Sequence, residues 1–246
     1  MSNGVDFSRR VALVTGGSRG IGRAIALALA EAGADVAVNY RARGDEAEAV
    51  VAAIRALGRR AVAVAADVSR ADAVAAMLAE VTRALGPVDV LVNNAGIAIR
   101  PEDATGAEAD FDRTLAVNLK SAFLCTEAVL PGMRARRWGR VVNISSVAAR
   151  GAGMVGVAYN ASKAGLEGLT RGYAARAAAD GITVNAVAPG PTDTEMGAPL
   201  RAGAAARVPL GRMGTPEEVA LAVLLVAGNG FMTGQTVGVN GGVAFV

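Results

Sequence analysis

Four apolar residues, Val11 to Val14, run straight into Thr15-Gly16-Gly17-Ser18-Arg19-Gly20-Ile21-Gly22. An amphipathic stretch follows through Ala24, Leu27, Ala28 and Ala32 and stops at Gly33. A short apolar run bounded by polar residues reads as a buried parallel strand. The stretch beyond the glycines reads as a helix that Gly33 closes. Strand, glycine loop and helix in that order leave few folds open. Backbone N–H groups and the positive end of the helix face one point, and glycine lets an anion approach it. The candidate phosphate contacts are Gly16, Ser18, Arg19, Gly20, Ile21 and Gly22. Their spacing, Gly16-x-x-x-Gly20-x-Gly22, differs from the Gly-x-Gly-x-x-Gly of the commonest dinucleotide fingerprint.

The same alternation continues. Ala34 to Asn39 reads as a second strand, Asp45 to Leu57 as a helix closed by Gly58, and Ala61 to Ala65 as a third strand. Ser69 is expected to cap the next helix, with Asp72 three residues on. Val88 to Val92 is a fourth strand ending in Asn93-Asn94-Ala95-Gly96. The spacing of Phe111, Leu115, Leu119 and Phe123 predicts one long helix over 107–134, its stripe serving as core or subunit contact. Val141 to Ser145 is the fifth strand, a helix runs from Tyr159 to about Asp180, and Ile182 to Val187 is the sixth strand. Residues 195–214 are small and weakly patterned and read as a lid over a substrate. Thr215-Pro216-Glu217-Glu218 is a helix start, and Thr233 to Val239 gives a seventh strand. No linker or repeat breaks the pattern. Residues 1–246 are therefore expected to form a single-domain Rossmann fold, α/β, with a doubly wound seven-stranded parallel sheet and helices on both faces.

Composition excludes several chemistries. The chain has no histidine, so a Ser-His-Asp triad, a Cys-His dyad and histidine metal sites are out, and no metal is expected. Cys125 is the single cysteine; no internal disulfide can form, and its apolar neighbours suggest core packing. The net charge of +3, from 25 basic and 22 acidic residues, does not argue for nucleic acid. No apolar run approaches the ~18 residues of a membrane span. The short polar start, Met1 to Arg10, reads as no targeting segment, so a cytoplasmic protein is expected. Arg134, Arg136, Arg137 and Arg140 crowd the turn before the fifth strand, either as a solvated loop or as a dock for an acidic partner.

In a doubly wound fold the end of the second strand faces an adenosine ribose, where an acidic residue binds the 2′-hydroxyl. This chain has Asn39-Tyr40-Arg41 and no acid there, with Arg19 in the glycine loop and Arg43 just beyond. Arginine forks suit phosphate, so NADP(H) is expected, with Arg19 and Arg41 as the 2′-phosphate contacts. Asp67 and Val68, after the third strand, lie where an adenine edge belongs. Tyr159 and Lys163, four apart, share one helix face. A free phenol, with a pKa near ~10, is a poor acid–base catalyst at neutral pH; a neighbouring ammonium pulls that value down. Bringing it to about 7 takes about 4 kcal/mol, expected from the lysine together with a bound cationic ring in a dry site. Ser146 ends the fifth strand and is expected to hydrogen-bond the oxygen that Tyr159 protonates. Asn118, polar within an apolar stretch, needs a partner.

Thr15 to Gly22, Asn93 to Gly96, Asn118, Ser146, Tyr159-x-x-x-Lys163 and Pro189-Gly190 occur in an order that resembles the short-chain dehydrogenase/reductase family over nearly the whole chain. Within it, the chain looks most like bacterial 3-oxoacyl-(acyl-carrier-protein) reductases. The resemblance implies that Tyr159 is the general acid, that Lys163 lowers its pKa and holds the nicotinamide ribose, and that Ser146 orients the carbonyl. Asn118 would hold a water linking Lys163 to solvent. Asp67 would touch adenine, Asn93, Asn94, Ala95 and Gly96 would pass along the cofactor, and Pro189, Gly190 and Thr192 would line it. Thr194 would meet the nicotinamide carboxamide.

The implied reaction is hydride transfer between nicotinamide and a ketone or secondary alcohol, foremost a 3-oxoacyl thioester, with acyl carrier protein as a partner. Two other readings are an NAD(P)-dependent enzyme for a small free ketone, sugar or polyol, and a cofactor-binding protein without catalysis. A homotetramer built partly from the helices at 107–134 and 159–180 is also implied. Two features depart from carrier-protein reductases. The lid and the stretch Ala227 to Phe231 look shorter. Carrier-dependent members also tend to have a basic residue where this chain has Asp180, although Arg137 matches the other basic position.

Overall fold

The computed structural model describes residues 5–100 and 103–245. The polar start at 1–4 lies outside the described residues. Seven strands alternate with helices: β1 (Val11–Val14), α1 (Gly20–Glu31), β2 (Asp35–Tyr40), α2 (Gly44–Ala56), β3 (Ala61–Ala65), α3 (Ala71–Ala84) and β4 (Val90–Asn93) come first. Then follow α4 (Ala107–Leu115), α5 (Ser121–Arg136), β5 (Gly139–Ile144), α6 (Val157–Ala177), β6 (Ile182–Pro189), α7 (Arg201–Arg207), α8 (Pro216–Gly228) and β7 (Thr236–Val239). All pairings are parallel, in the order β3-β2-β1-β4-β5-β6-β7. The order reverses between β1 and β4. At such a switch point the loops leaving the two strands diverge and open a crevice at their carboxyl ends.

Period-two alternation sorts the strand residues onto two apolar cores. Val14, Val36, Val38, Val92 and Val142 pack beneath α1, α2 and α8. Leu13, Ala37, Leu91, Val141 and Val184 pack on the other face with α3, α5 and α6. Burial on both faces explains why these strands are continuous runs of valine, leucine and alanine. Cys125 sits in the second core, fully buried, and burial pushes its thiol up to about 12, so it acts as a small apolar side chain. The expected start of α8 is present in full: Thr215 accepts from the Glu218 N–H, Glu218 accepts from the Thr215 N–H, and Pro216 is the first helical residue.

Two expectations give way. The helix expected over 107–134 is broken by a wide π-turn, Ala116–Lys120, between α4 and α5. It carries Asn118, whose side chain pairs with backbone outside the helix. Phe111 and Phe123 of the expected stripe are exposed, while Leu119 lies where a side chain on Gly165 of α6 would clash with it. Ser69 is not a helix cap. Asp67 instead accepts from both the Ser69 N–H, at 3.0 Å, and its hydroxyl, at 2.6 Å, and α3 starts uncapped after Arg70. A carboxylate two residues upstream closes that local turn before a serine can.

The arginine cluster lies at the amino end of β5, across the sheet from the crevice. Its members are engaged: Arg134 pairs with Asp180 at 3.1 Å, Arg136 with Asp89 at 3.3 Å, and Arg137 donates to the Ala179 carbonyl. The Arg10 and Arg140 guanidinia stack on Trp138, 3.7 and 4.4 Å from its centroid. No described helix is long and apolar enough to cross a membrane.

Candidate active site

The carboxyl ends of the strands open into a cleft of about 1070 Å³. Its walls include Gly16, Ser18, Arg19, Gly20, Ile21, Gly22, Asn39, Tyr40, Arg41, Asp67, Val68, Asn94, Ala95, Gly96, Ser146, Tyr159, Lys163, Pro189, Gly190, Thr192 and Thr194. One crevice thus gathers the candidates read from the sequence, apart from Asn93 and Asn118, which are both buried outside its wall.

At one end lies the glycine loop. Gly16 and Gly20 take φ of 60 and 52, a region side chains disfavour. A Cβ on Gly22 would strike the Gly16 carbonyl and the Asn94 amide. Arg19 precedes α1 without a side-chain cap, so the first N–H groups of the helix remain for a ligand. Bare backbone around uncapped donors fits a pyrophosphate. Gly22→Ala should cost about 1–3 kcal/mol in urea melts. It should also weaken dinucleotide binding about tenfold, read by calorimetry. Unchanged values in both would mean that the loop relaxes around the methyl group.

Two side chains hold this loop that the sequence reading placed differently or passed over. Asn39 was expected at the ribose. Its amide oxygen accepts from the Gly16 N–H at 3.2 Å, and its NH₂ donates to the Val64 and Ala66 carbonyls. It ties the glycine loop to β3, and its polar atoms are occupied. The Thr15 hydroxyl accepts from the N–H groups of Asn94 and Ala95, both at 3.0 Å, and donates to the Val92 carbonyl. A hydroxyl at the end of an apolar strand was the available sequence signal. Asn93 points away from the cleft and donates to Thr126 and to Asn143, so its expected place along a cofactor is taken by Asn94, Ala95 and Gly96. Successive strand residues face opposite sides, which separates the two asparagines.

At the other end are Ser146, Tyr159 and Lys163. The Ser146 hydroxyl caps a short turn by accepting from the Ala148 N–H at 3.1 Å, which leaves its proton to give. The Lys163 Nζ donates to the Ile144 carbonyl at 2.8 Å and lies 5.6 Å from the centroid of the Tyr159 ring. Asn118 makes paired bonds with the Ile97 backbone, accepting its N–H at 2.8 Å and donating to its carbonyl at 3.0 Å, and also donates to the Ser162 hydroxyl. A Cβ on Gly96 would touch both the Asn118 Oδ1, at 3.4 Å, and the Lys163 Nζ, at 3.7 Å, so this turn lies against both groups.

Burial dominates the electrostatics of this end of the cleft. The Tyr159 phenol is raised above its ordinary value, because burial disfavours the phenolate; the Ser146 hydroxyl pulls the other way. Lys163, directed at the Ile144 carbonyl, does not bring it down. The lysine itself is only 4 % exposed and burial pushes it down to about 8. In this dry corner the resting tyrosine is a neutral phenol, and hence a proton donor.

A second tie behind the serine had no sequence signal. Glu167, one turn beyond Lys163 on α6 and 5 % exposed, accepts from Arg150 at 2.9 Å. Arg150 closes the turn that starts at Ser146, so the pair anchors that turn to the helix bearing Tyr159 and Lys163.

At the adenosine end, Arg41 lines the cleft and its charge acts on Asp67. The guanidinium that converges with Arg19 on a common anion is that of Arg43: both pair with Glu195, from the segment that follows β6. Among the described residues no group of three or more metal-binding side chains occurs.

A family model described as short chain dehydrogenase matches residues 10–205. A 3-oxoacyl-(acyl-carrier-protein) reductase of Staphylococcus aureus (strain N315) is 44% identical over 237 residues, 94% of this chain and 96% of that protein. Nodulation protein G of Azospirillum brasilense is 41% identical over 249 residues, 97% of this chain and all of that protein (100%). A crystal structure from Sinorhizobium meliloti 1021, assigned as a short-chain alcohol dehydrogenase, superimposes with a TM-score of 0.89 at 39% identity, covering 97% of this chain and 98% of that one.

Proposed function

The chain belongs to the short-chain dehydrogenase family and is an oxidoreductase using a nicotinamide cofactor; on that premise we propose that it is an NADP(H)-dependent reductase of 3-oxoacyl thioesters. The observation that carries the reading is the convergence of Ser146, Tyr159 and Lys163 at one end of a cleft whose other end is the glycine loop. When bound, the cofactor supplies the hydride. Gly16 to Gly22 hold its pyrophosphate, Tyr40 and Arg41 flank the adenosine ribose, and Asp67 and Val68 border the adenine. Asn94 to Gly96, Pro189, Gly190, Thr192 and Thr194 line its course toward the reacting end.

The residues divide the proton chemistry. Ser146 gives its free proton to the substrate carbonyl oxygen as a hydrogen bond and so fixes that oxygen beside the phenol. Tyr159, neutral in the resting cleft, delivers its proton to the same oxygen as negative charge develops there. A positioned general acid of this kind is worth about 10²–10⁴ in rate. Lys163 sits one helical turn away as the cation that faces the resulting phenolate, and Asn118 holds the wall behind it through Ile97. The apolar flank made by Ile97, Ile99, Met154 and Met196 suits an acyl chain.

The proposed partner, acyl carrier protein, draws support from the names of the relatives. A smaller substrate has one observation in its favour: Asp180 pairs with Arg134 and so places an acid in the basic cluster. A substrate panel with NADPH separates the two. 3-Oxoacyl thioesters on carrier protein and on a short pantetheine analogue should turn over with kcat/KM at least about tenfold above free ketones and sugars. Turnover of free ketones alone would remove the thioester reading. Equal kcat/KM for the carrier-bound and analogue thioesters would remove only the carrier protein.

A further inference from the structure

Glu195 directly follows Thr194, in the segment expected to cover the cleft. Its carboxylate reaches across the opening. It accepts from Arg43 through both oxygens, at 3.0 and 3.2 Å, and pairs with Arg19 as well. Arg19 comes from the glycine loop and Arg43 from the turn after β2, so three separate stretches meet at one anion. Arg43 adopts φ 66, a left-handed conformation that few side chains choose, at the position just before α2. Its own helix offers it Glu46 at 2.9 Å, yet its fork still spans to Glu195. The groups are about half exposed, so this is a solvated network that a ligand can replace, not a buried lock.

Carboxylate and phosphate present the same fork-shaped acceptor to a guanidinium. A phosphate monoester carries about −1.5 to −2 at neutral pH, where a carboxylate carries one charge. We propose that Glu195 is the specificity-determining residue for the cofactor: its carboxylate stands in for a ribose 2′-phosphate between Arg19 and Arg43, and that phosphate must displace it. Cofactor discrimination is then set by a competition inside the protein. A dinucleotide with the phosphate expels Glu195 and frees the covering segment at Thr194. One lacking it leaves Glu195 on the two arginines. This rests on the NADP(H) reading above.

Two fragments test it without turnover. Adenosine 2′,5′-bisphosphate carries the 2′-phosphate and adenosine 5′-monophosphate does not. By calorimetry, Glu195→Gln should bind the bisphosphate about three- to tenfold more tightly than the unaltered protein and the monophosphate equally well. Unchanged bisphosphate affinity, or the same gain for both fragments, overturns the role of Glu195. The double variant Arg19→Ala/Arg43→Ala separates this from the underlying reading. A loss confined to the bisphosphate supports the phosphate site whatever Glu195→Gln does. Equal losses for both fragments bring down the NADP(H) reading, and the proposal with it.

Discussion

Tyr159→Phe should lower kcat for ketone reduction by about a thousandfold or more while leaving NADPH affinity within about twofold. The change removes one oxygen from a ring in the cleft wall, so the cleft keeps its shape. What disappears is the donor that reaches the carbonyl oxygen. Losing one hydrogen bond with Ser146 should cost no more than about 1.5 kcal/mol, so a urea melt should find the variant folded. The raised phenol also sets a sign. Reduction uses the protonated form, which burial favours at neutral pH, whereas the reverse oxidation needs the phenolate and should speed up as pH rises. Stopped-flow measurement of NADPH consumption in reduction, and of NADPH formation in the reverse reaction, across pH reads both the loss in kcat and the sign. A Phe variant within tenfold of the original kcat would take the proton-donor role away from Tyr159.

Lys163→Met should do two opposite things: reduce turnover about a hundredfold or more and stabilise the fold. Lysine holds its proton up to about 10.5 when exposed, but only to about 8 when buried here. Below about 8 both folded and unfolded chains carry the charge, and the full cost of burying it is present. Between about 8 and 10.5 the unfolded chain binds more protons than the folded one, so stability climbs with pH across that window. The difference corresponds to about 3 kcal/mol at most, part of which the bond to the Ile144 carbonyl already returns. Methionine of similar length avoids the cost. Its variant should gain about 1–3 kcal/mol at pH 7 and lose the slope above 8. Urea melts at pH 7 and pH 10 decide it; a less stable variant with the slope intact would mean that another group titrates.

Much of this was legible in the residue order because it is local. The strands announce themselves as valine and alanine runs, the glycine loop by its spacing, and the start of α8 by Thr215, Pro216 and Glu218. The cleft wall was readable for a related reason: a parallel sheet delivers every strand's carboxyl end to one edge, so residues just past β1, β4, β5 and β6 must meet. What escaped depends on contacts between distant segments. Nothing near Asn118 in the chain signals that its partner is the backbone of Ile97, and without that partner the π-turn has no cause. Nothing decides in advance which of Asn93 and Asn94 faces the crevice, since a shift of one residue exchanges them. Arg41 and Arg43 are the same residue two positions apart, and the sequence does not say which of them meets Glu195 beside Arg19. The direction of the Lys163 ammonium, toward the Ile144 carbonyl, was not legible either, because a helical spacing says that two side chains are near and not where each points.

The wide turn at Ala116–Lys120 has a consequence for how this chain tolerates change. A π-turn holds one residue more than the α-helical turn it interrupts. Deleting Val117 would restore a regular helix and rotate everything on one side of the break by about 100° relative to the other. Asn118 would swing off Ile97, and Cys125, Val129 and Met133 would leave the core together. A point substitution on this helix acts at its own position; the loss of one codon here would move Asn118 and the buried face of α5 together. The region should therefore accept many replacements and almost no change of length.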